Sequence, residues 1–344
     1  MQSCQKLFFT APYRVEILEA ARPQPEKGEV LVQTLVSAIS AGTELLFYRG
    51  QVPNGTVVDT TIPALSAAIT YPLQYGYAAV GRIISLGTAV EANWLGKLVF
   101  AFQPHASHFV AQPNELIVLP KEMDADTAVF LPNMETAVSF LMDAQPMIGE
   151  RVAVFGQGII GLLTTALLSK LPFSSLITLD RIALRRECSR KLGADVVFNP
   201  AEAGVVELVR HYKGGNQIFP GTDLTFELSG NPAALEQAIN VTGFSGRVLV
   251  GSWYGDKRAV IDLGDHFHRN HITLISSQVS QIAPQWNGRF SKKRRLNVAL
   301  DILASVRPEQ LITQRLPLSQ AITAYQQLDQ EPENHLQIIF TYES

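Results

Sequence analysis

The stretch Arg151–Gly161, RVAVFGQGIIG, decides the fold. An apolar run, RVAVF, ends at a glycine. Two more glycines follow, and IIGLLTTALLSKL then reads as a helix. Each glycine of this GxGxxG pattern has a physical reason. Gly156 makes the tight turn, Gly158 lets the backbone approach a pyrophosphate, and Gly161 lets helix and strand pack closely. The backbone N–H groups at the helix start, those of Ile159, Ile160 and Gly161, are expected to face the phosphates. Asp180 closes the next strand, SLITLD, at about the 20-residue distance expected of an acid that accepts hydrogen bonds from ribose hydroxyls and repels a 2′-phosphate. The expected cofactor is therefore NAD. The basic Arg181, Arg185 and Arg186 beside the acid keep NADP open, with Arg181 as the candidate contact.

Working outward, the 344 residues suggest two domains. After about Glu150, apolar strands alternate with helices: ADVVFNP, TDLTFELSG, GRVLVGSWYG and HITLISSQV are the further strands. AEAGVVELVRHYKG and NPAALEQAINVTG are helices between them. Nearly continuous apolar strands separated by helices indicate a doubly wound parallel sheet, covered on both faces. Before Glu150 the texture is different. Short β-like segments such as KLFFTAPYRVEILEA, GEVLVQTLVSAIS, AAVGRIISLG and GKLVFAF alternate with turn residues, which indicates a barrel-like β domain. The closing strand, HLQIIFTYE, is expected to return to it. The expected domains are 1–145 plus 284–344, and 146–283. The overall expectation is an α/β chain: a β-rich N-terminal barrel domain followed by a Rossmann sheet.

Composition bounds the function. Hydrophobic residues make up 47% and charged residues 17% of the chain, as in a globular protein with large cores. The net charge of −3 gives no electrostatic reason to expect nucleic acid or an anionic membrane as partner. Two distant cysteines, Cys4 and Cys188, cannot form a four-thiolate zinc site and fit a reduced, cytoplasmic protein. The N-terminus lacks the pattern of a signal peptide, and the longest apolar run is broken by glycines and Gln157, which argues against a membrane span.

SAISAGTELLFYRG, YGYAAVGRIISLG, VAVFGQGIIG, LDR…KLGADVV and FELSGNPAALEQAI together resemble the medium-chain dehydrogenase/reductase superfamily, over nearly the whole chain. SAISAGTE, NMETAV and GSWYG are more narrowly similar to a branch that includes bacteriochlorophyllide dehydrogenase-like proteins. The resemblance implies a GroES-like N-terminal domain, a Rossmann domain, a small-molecule substrate and a homodimer, with the edge of HITLISSQV as the candidate pairing strand. It also places Ser229, Ser252 and Trp253 beside the cofactor, because ligands bind beyond the carboxyl ends of the strands. Departures from the family matter as much. Where zinc-containing members carry a cysteine before Gly-Thr, this chain has Ala41; the usual Gly-His-Glu is Gly76-Tyr77-Ala78. The third ligand region, LPNMETAVSF, offers only Glu135, one position out of register. Zinc needs three or four N, S or O ligands, so none is expected.

Without a metal, developing oxygen charge and a proton must be handled by protein groups. Thr43 keeps the hydroxyl that, by the resemblance, lies beside the substrate oxygen; alternatively it caps the helix GTELLF. Tyr77 stands where the histidine ligand would be and offers a phenol, an acid if its pKa is lowered, or else a packed core tyrosine. Glu44 is expected just behind it. His105 and His108 fall in the segment that the resemblance places on the substrate side, and His105 is the imidazole candidate. SKKRR, Lys292–Arg295, reads as a solvated helix start, or as an attractor of substrate carboxylates. DHFHRNH reads as a loop. Three functions remain open: a zinc-independent alcohol/carbonyl dehydrogenase, an enone or quinone reductase, or a dinucleotide-binding redox sensor without catalysis.

Overall fold

A computed structural model describes residues 3–52, 70–214 and 220–342. It opens with β1 (Ser3–Ala11) and β2 (Arg14–Ala21), an antiparallel pair. Next come β3 (Val30–Ala38), α1 (Ala41–Tyr48), β4 (Ala79–Leu86), β5 (Leu98–Ala101), β6 (His108–Ala111) and β7 (Ile117–Val118), then α2 (Ala125–Ala128) and α3 (Leu131–Ala144). The alternating part follows: β8 (Arg151–Phe155), α4 (Ile159–Leu168), β9 (Ser175–Leu179), α5 (Ala183–Lys191), β10 (Val196–Phe198), α6 (Val205–Arg210), β11 (Thr222–Glu227), α7 (Ala233–Val241), β12 (Thr242–Val250), α8 (His266–Arg269) and β13 (Thr273–Ser276). The chain closes with α9 (Lys292–Val306), β14 (Ile312–Pro317), α10 (Ala321–Gln330) and β15 (Gln337–Thr341).

The chain divides into two compact units, Met1–Pro132 with Leu303–Ser344, and Asn133–Ile302. These junctions lie inside α3 and α9 rather than at 145/146 and 283/284. The change of texture marks the first strand of the second sheet, whereas α3 already packs Phe140 and Ala144 against that sheet. In the first unit a mixed sheet runs β14-β15-β3-β4-β5-β7, with β6 also on β3. The closing strand β15 pairs antiparallel with β3, Ile339 opposite Ala38. One of its cores gathers Phe9, Phe47, Tyr75, Tyr325 and Phe340.

The second unit holds a six-stranded, wholly parallel sheet of order β10-β9-β8-β11-β12-β13. Alternation along β8 separates its two faces. Val152 and Val154 pack with Phe140 and Leu168 on one side, and Ala153 and Phe155 with Val209 and Ile239 on the other. The order reverses between β8 and β11, so the loops after these two strands meet at the switch point, where ligands bind in such sheets. Gly156 allows that meeting: its φ is +86°, and a Cβ there would lie 2.5 Å from the Ser229 Cα. A Cβ on Gly161 would lie 1.9 Å from the Gly156 carbonyl oxygen, whereas one on Gly158 would meet nothing within 4 Å.

Three local expectations are corrected. SKKRR is not wholly solvated. Arg295 is 1% exposed, and its Nε and Nη2 donate to Glu135 Oε1 at 3.0 and 2.9 Å, with Nη1 on Ser139 Oγ at 3.1 Å. Glu135 and Ser139 stand one turn apart on α3, so a single guanidinium spans both. The predicted helix AEAGVVELVRHYKG shrinks to Val205–Arg210, because Gly204 and Lys213 at its two ends take left-handed backbone. DHFHRNH contains the short helix α8 rather than only loop. Among the described residues no helix is long and apolar enough to cross a membrane.

Glu135→Ala would strand a buried guanidinium, and its urea unfolding free energy should fall by about 3–5 kcal/mol. Gly161→Ala should cost roughly 1–3 kcal/mol through overpacking, while Gly158→Ala should leave the melting temperature nearly unchanged. Equal melting temperatures for the two glycine variants would contradict this assignment.

Candidate active site

The cofactor half lies in the second unit. Helix α4 begins at Gly158, and its first backbone bond is donated by Leu162 N–H to Gly158 O at 2.8 Å. The N–H groups of Ile159, Ile160 and Gly161 precede that bond and lack intrahelical acceptors, which leaves a positive helix end beside the open space at Gly158. Asp180, directly after β9, is buried against this loop. Its Oδ2 accepts from Gln157 N–H at 2.7 Å and its Oδ1 from Ile182 N–H at 2.8 Å. Two backbone donors thus fix the carboxylate, and each oxygen keeps acceptor capacity for a ribose hydroxyl. Arg186 Nη1 is turned back onto the carbonyls of Asp180 and Arg181, at 2.8 Å each, while Arg181 itself is exposed.

Across the switch point, Glu227 ends β11 fully buried. Its Oε1 accepts from the backbone N–H of Ser229 at 2.9 Å and from that residue's hydroxyl. Its Oε2 accepts from Tyr254 Oη at 2.5 Å. Burial and the Glu227 charge push the Tyr254 phenol well above its ordinary pKa, so it stays a donor. Ser252 Oγ accepts from Gly230 N–H at 2.9 Å. Ser252 and Tyr254 thus tie the loop after β12 to the end of β11 and the loop that follows it, and Trp253 stands 40% exposed between them. The organising acid, Glu227, was not singled out from the sequence. Its signal was an acid ending an apolar strand, TFE, beside the glycine loop.

The donor half lies in the first unit. Ser40, not Thr43, stands at the start of α1, so the reading of Thr43 as the cap is corrected. Ser40 Oγ lies in close hydrogen bond with Tyr77 Oη, and the Thr43 hydroxyl is near enough to that phenol to ease its ionisation. The hydroxyls of Ser40 and Tyr77 therefore meet directly after Ile39 and Gly76. Tyr77 is half-buried, packs on the first unit's core and meets Tyr75 edge-on. Burial is the largest influence on its phenol and raises the pKa; the Ser40 and Thr43 bonds lower it, and Glu44 raises it again. The net shift is upward, so the lowered pKa that would make the phenol an acid is not found. The bare hydroxyls are too weak to offset the lost solvation.

Glu44 sits behind this cluster, as expected, and is fully buried. Its Oε1 accepts from Ser40 N–H at 2.7 Å, and its Oε2 from Tyr325 Oη at 2.5 Å. His105 Nε2 lies 3.0 Å from the same Oε2. His105 has no exposed surface, and its Nδ1 meets Ser37 Oγ at 2.7 Å, which in turn meets Tyr342 Oη at 2.6 Å. Both ring nitrogens of His105 are therefore engaged inside this array. His108, at the start of β6, is half-buried; burial first and Arg22 second depress its pKa.

Residues 160–292 match the family described as zinc-binding dehydrogenase. An L-threonine 3-dehydrogenase of Pyrococcus horikoshii is 27% identical over 83% of this chain and 86% of its own length. A D-guloside 3-dehydrogenase of Escherichia coli is 26% identical over 98% of this chain and all of its own. Among solved structures, an alcohol dehydrogenase of Escherichia coli complexed with NADH superposes with a TM-score of 0.78 at 19% identity, covering 98% of this chain and 99% of that one. The parallel sheet, the glycine loop with its acid, and the similarity to these named dehydrogenases make the chain an NAD(P)-dependent enzyme of alcohol dehydrogenase type, similar over residues 160–292 to the zinc-binding dehydrogenase family.

Proposed function

We propose that this enzyme transfers hydride between NAD(H) and an alcohol or carbonyl substrate without zinc, as a member of a zinc-ligand-less branch of its family. The observation that carries the cofactor reading is Asp180, whose two oxygens are fixed by Gln157 and Ile182 N–H and face the ribose position with acceptors only. A 2′-phosphate would meet that negative charge, and Arg186, held on two carbonyls, is not placed to offset it. NAD, when bound, supplies the hydride acceptor or donor. Gly158 and the N–H groups of Ile159, Ile160 and Gly161 hold its pyrophosphate, and Ser229, Ser252 and Trp253 lie on the loops beyond the strand ends.

The residues present do not fit a zinc. Ala41 and Tyr77 occupy two ligand positions, Glu135 is committed to Arg295, and Glu44 is surrounded by donors. Among the described residues no group of three His, Cys, Asp or Glu side chains is placed to hold a metal. Polarisation of the substrate oxygen falls instead to the hydroxyls of Tyr77 and Thr43. The enzyme is further proposed to act in the cytoplasm as a homodimer joined along β13, the last strand of its sheet, where Leu274 is partly exposed.

NADH should bind at least about tenfold more tightly than NADPH, a difference of about 1.4 kcal/mol by fluorescence titration, and Asp180→Asn should narrow that gap. Tighter NADPH binding would overturn the Asp180 argument. Protein purified without added metal should keep its turnover after chelation and carry far less than one zinc per chain by atomic emission; stoichiometric zinc would refute the metal-free reading.

A further inference from the structure

We propose that Arg289, Lys293 and Arg294 form an anion subsite, so that the alcohol or carbonyl substrate of this enzyme carries a carboxylate or a phosphate away from its reacting carbon. The inference deepens the proposed function and rests on it. Its first ground is the distribution of charge. Between Asp265 and Asp301 the chain has six Lys or Arg residues and no acid, in a protein whose net charge is −3. Five of the six fall within RFSKKRR, Arg289–Arg295. Arg295 is buried in its ion pair with Glu135. Arg289, Lys293 and Arg294 are exposed, and among the described residues none of the three has an acidic partner within ion-pair distance. Helix α9 opens on Lys292, Lys293 and Arg294 with no acid in its first turn. That is the reverse of what the positive end of a helix favours, so helix stability does not account for these charges.

Two aromatic rings give the cluster its shape. The Arg289 guanidinium lies 5.7 Å from the Trp286 ring centre and that of Arg294 4.2 Å from the Phe290 ring centre. The two rings meet edge-on at 6.4 Å. Arg294 Nη1 also donates to the Arg289 carbonyl, and the Arg294 backbone N–H donates to Ser291 Oγ at 3.1 Å. A guanidinium stacked on a ring keeps its N–H edge for an acceptor in its own plane, the geometry that carboxylate and phosphate oxygens match. The Trp286 indole N–H, under Arg289, is buried with no acceptor among the described residues, which adds a further unserved donor.

Sheet order puts this cluster next to the reacting end of the cofactor. The strands run β10-β9-β8-β11-β12-β13 and are all parallel, so their carboxyl ends share one edge. With the adenosine ribose at Asp180 after β9 and the pyrophosphate at α4 after β8, the nicotinamide extends over β11 and β12. Strand β13 is next, about 5 Å further on. The chain leaving β13 stays at that edge. Ser277 N–H donates to the Val250 carbonyl of β12 at 3.1 Å. Arg295 then fastens the far end of the segment back onto its beginning, through Nη1 to Gln281 O at 3.3 Å and Nη2 to Val279 O. Segment 279–295 is thus a loop closed on itself beyond β13, and Arg289, Lys293 and Arg294 all belong to it. A substrate whose reacting carbon meets the nicotinamide has these cations one strand away, and they favour the approach of an acidic substrate over a neutral one.

The test gives the full chain NADH with benzaldehyde, 4-carboxybenzaldehyde or 4-formylphenyl phosphate, so that carboxylate and phosphate are compared with a neutral parent. At an ionic strength of about 0.01 M, kcat/KM for at least one charged aldehyde should exceed that for benzaldehyde by about tenfold, through a lower KM. The advantage should shrink as the ionic strength rises to about 0.15 M. Combining Arg289→Gln, Lys293→Gln and Arg294→Gln should lower the charged-to-neutral ratio about tenfold, and Lys293→Gln alone about threefold. A readout that needs no turnover is calorimetric titration of phenyl phosphate and of benzoate into the NADH complex. The tighter of these two anions should bind the triple variant about tenfold more weakly. Ratios equal in native enzyme and variants, a ratio indifferent to salt, or no binding of either anion would overturn the proposal. Equal binding of the tighter anion to native enzyme and triple variant would overturn it too. NADH binding with none of the aldehydes reduced would count against the proposed hydride transfer alone, because the calorimetric arm still decides the subsite.

Discussion

Glu44 carries a carboxylate with no solvent exposure in the middle of the first unit. Removing such a charge from water costs several kcal/mol unless donors surround it. The donors come from three separate pieces of chain. The N–H of Ser40 comes from the start of α1, the Tyr325 phenol from α10, and the His105 ring from the segment before β6; Ser37 of β3 and Tyr342 of the C-terminal tail brace that ring. The first unit must therefore bring back residues beyond 302 to satisfy a residue at position 44. The pairing of β15 on β3 performs that return. Loss of any one donor would leave a buried group unpaired, which is why a polar array can specify a unique packing here.

The second unit solves a different problem with local means. Its cofactor loop needs close backbone approach at Gly156 and Gly161, open space at Gly158, and an acid fixed by two amides. All but the acid lie within one strand–turn–helix, and the acid ends the very next strand. Nothing in this arrangement depends on distant segments, except that the loop after β11 must close over Gly156. Glu227 holds that loop in shape by accepting from both donors of Ser229.

This contrast explains what could be read from the sequence. The glycine loop, the six parallel strands and Asp180 were legible because spacing and alternation encode them along the chain. The place of Glu44 behind Tyr77 was legible through the family's motif positions. Ser40 lay in plain view in SAISAGTE, yet its value depends on Tyr77, a partner 37 residues away. The surroundings of His105 and Arg295 were hidden for the same reason. The tertiary partners of each, Glu44 and Glu135, are distant in the chain. The raised phenol pKa of Tyr77 likewise depends on burial, which no local pattern reports.

A phenol and a bound cation differ in more than their identity as electrophiles. A bound zinc stabilises an alkoxide by its charge, so it assists hydride transfer in either direction and lowers the pKa of an alcohol bound to it. A neutral phenol stabilises the developing alkoxide by giving up a proton, and that help exists only while the proton is present. Hydroxyl neighbours and a carboxylate behind them, with burial around them, reinforce the neutral state. At Ser40 and Tyr77 the neutral hydroxyls are in direct contact, and the carboxylate of Glu44 opposes ionisation of the phenol. That opposition comes from the charge of Glu44, the same carboxylate whose hydrogen bonds hold the start of α1, α10 and His105 together.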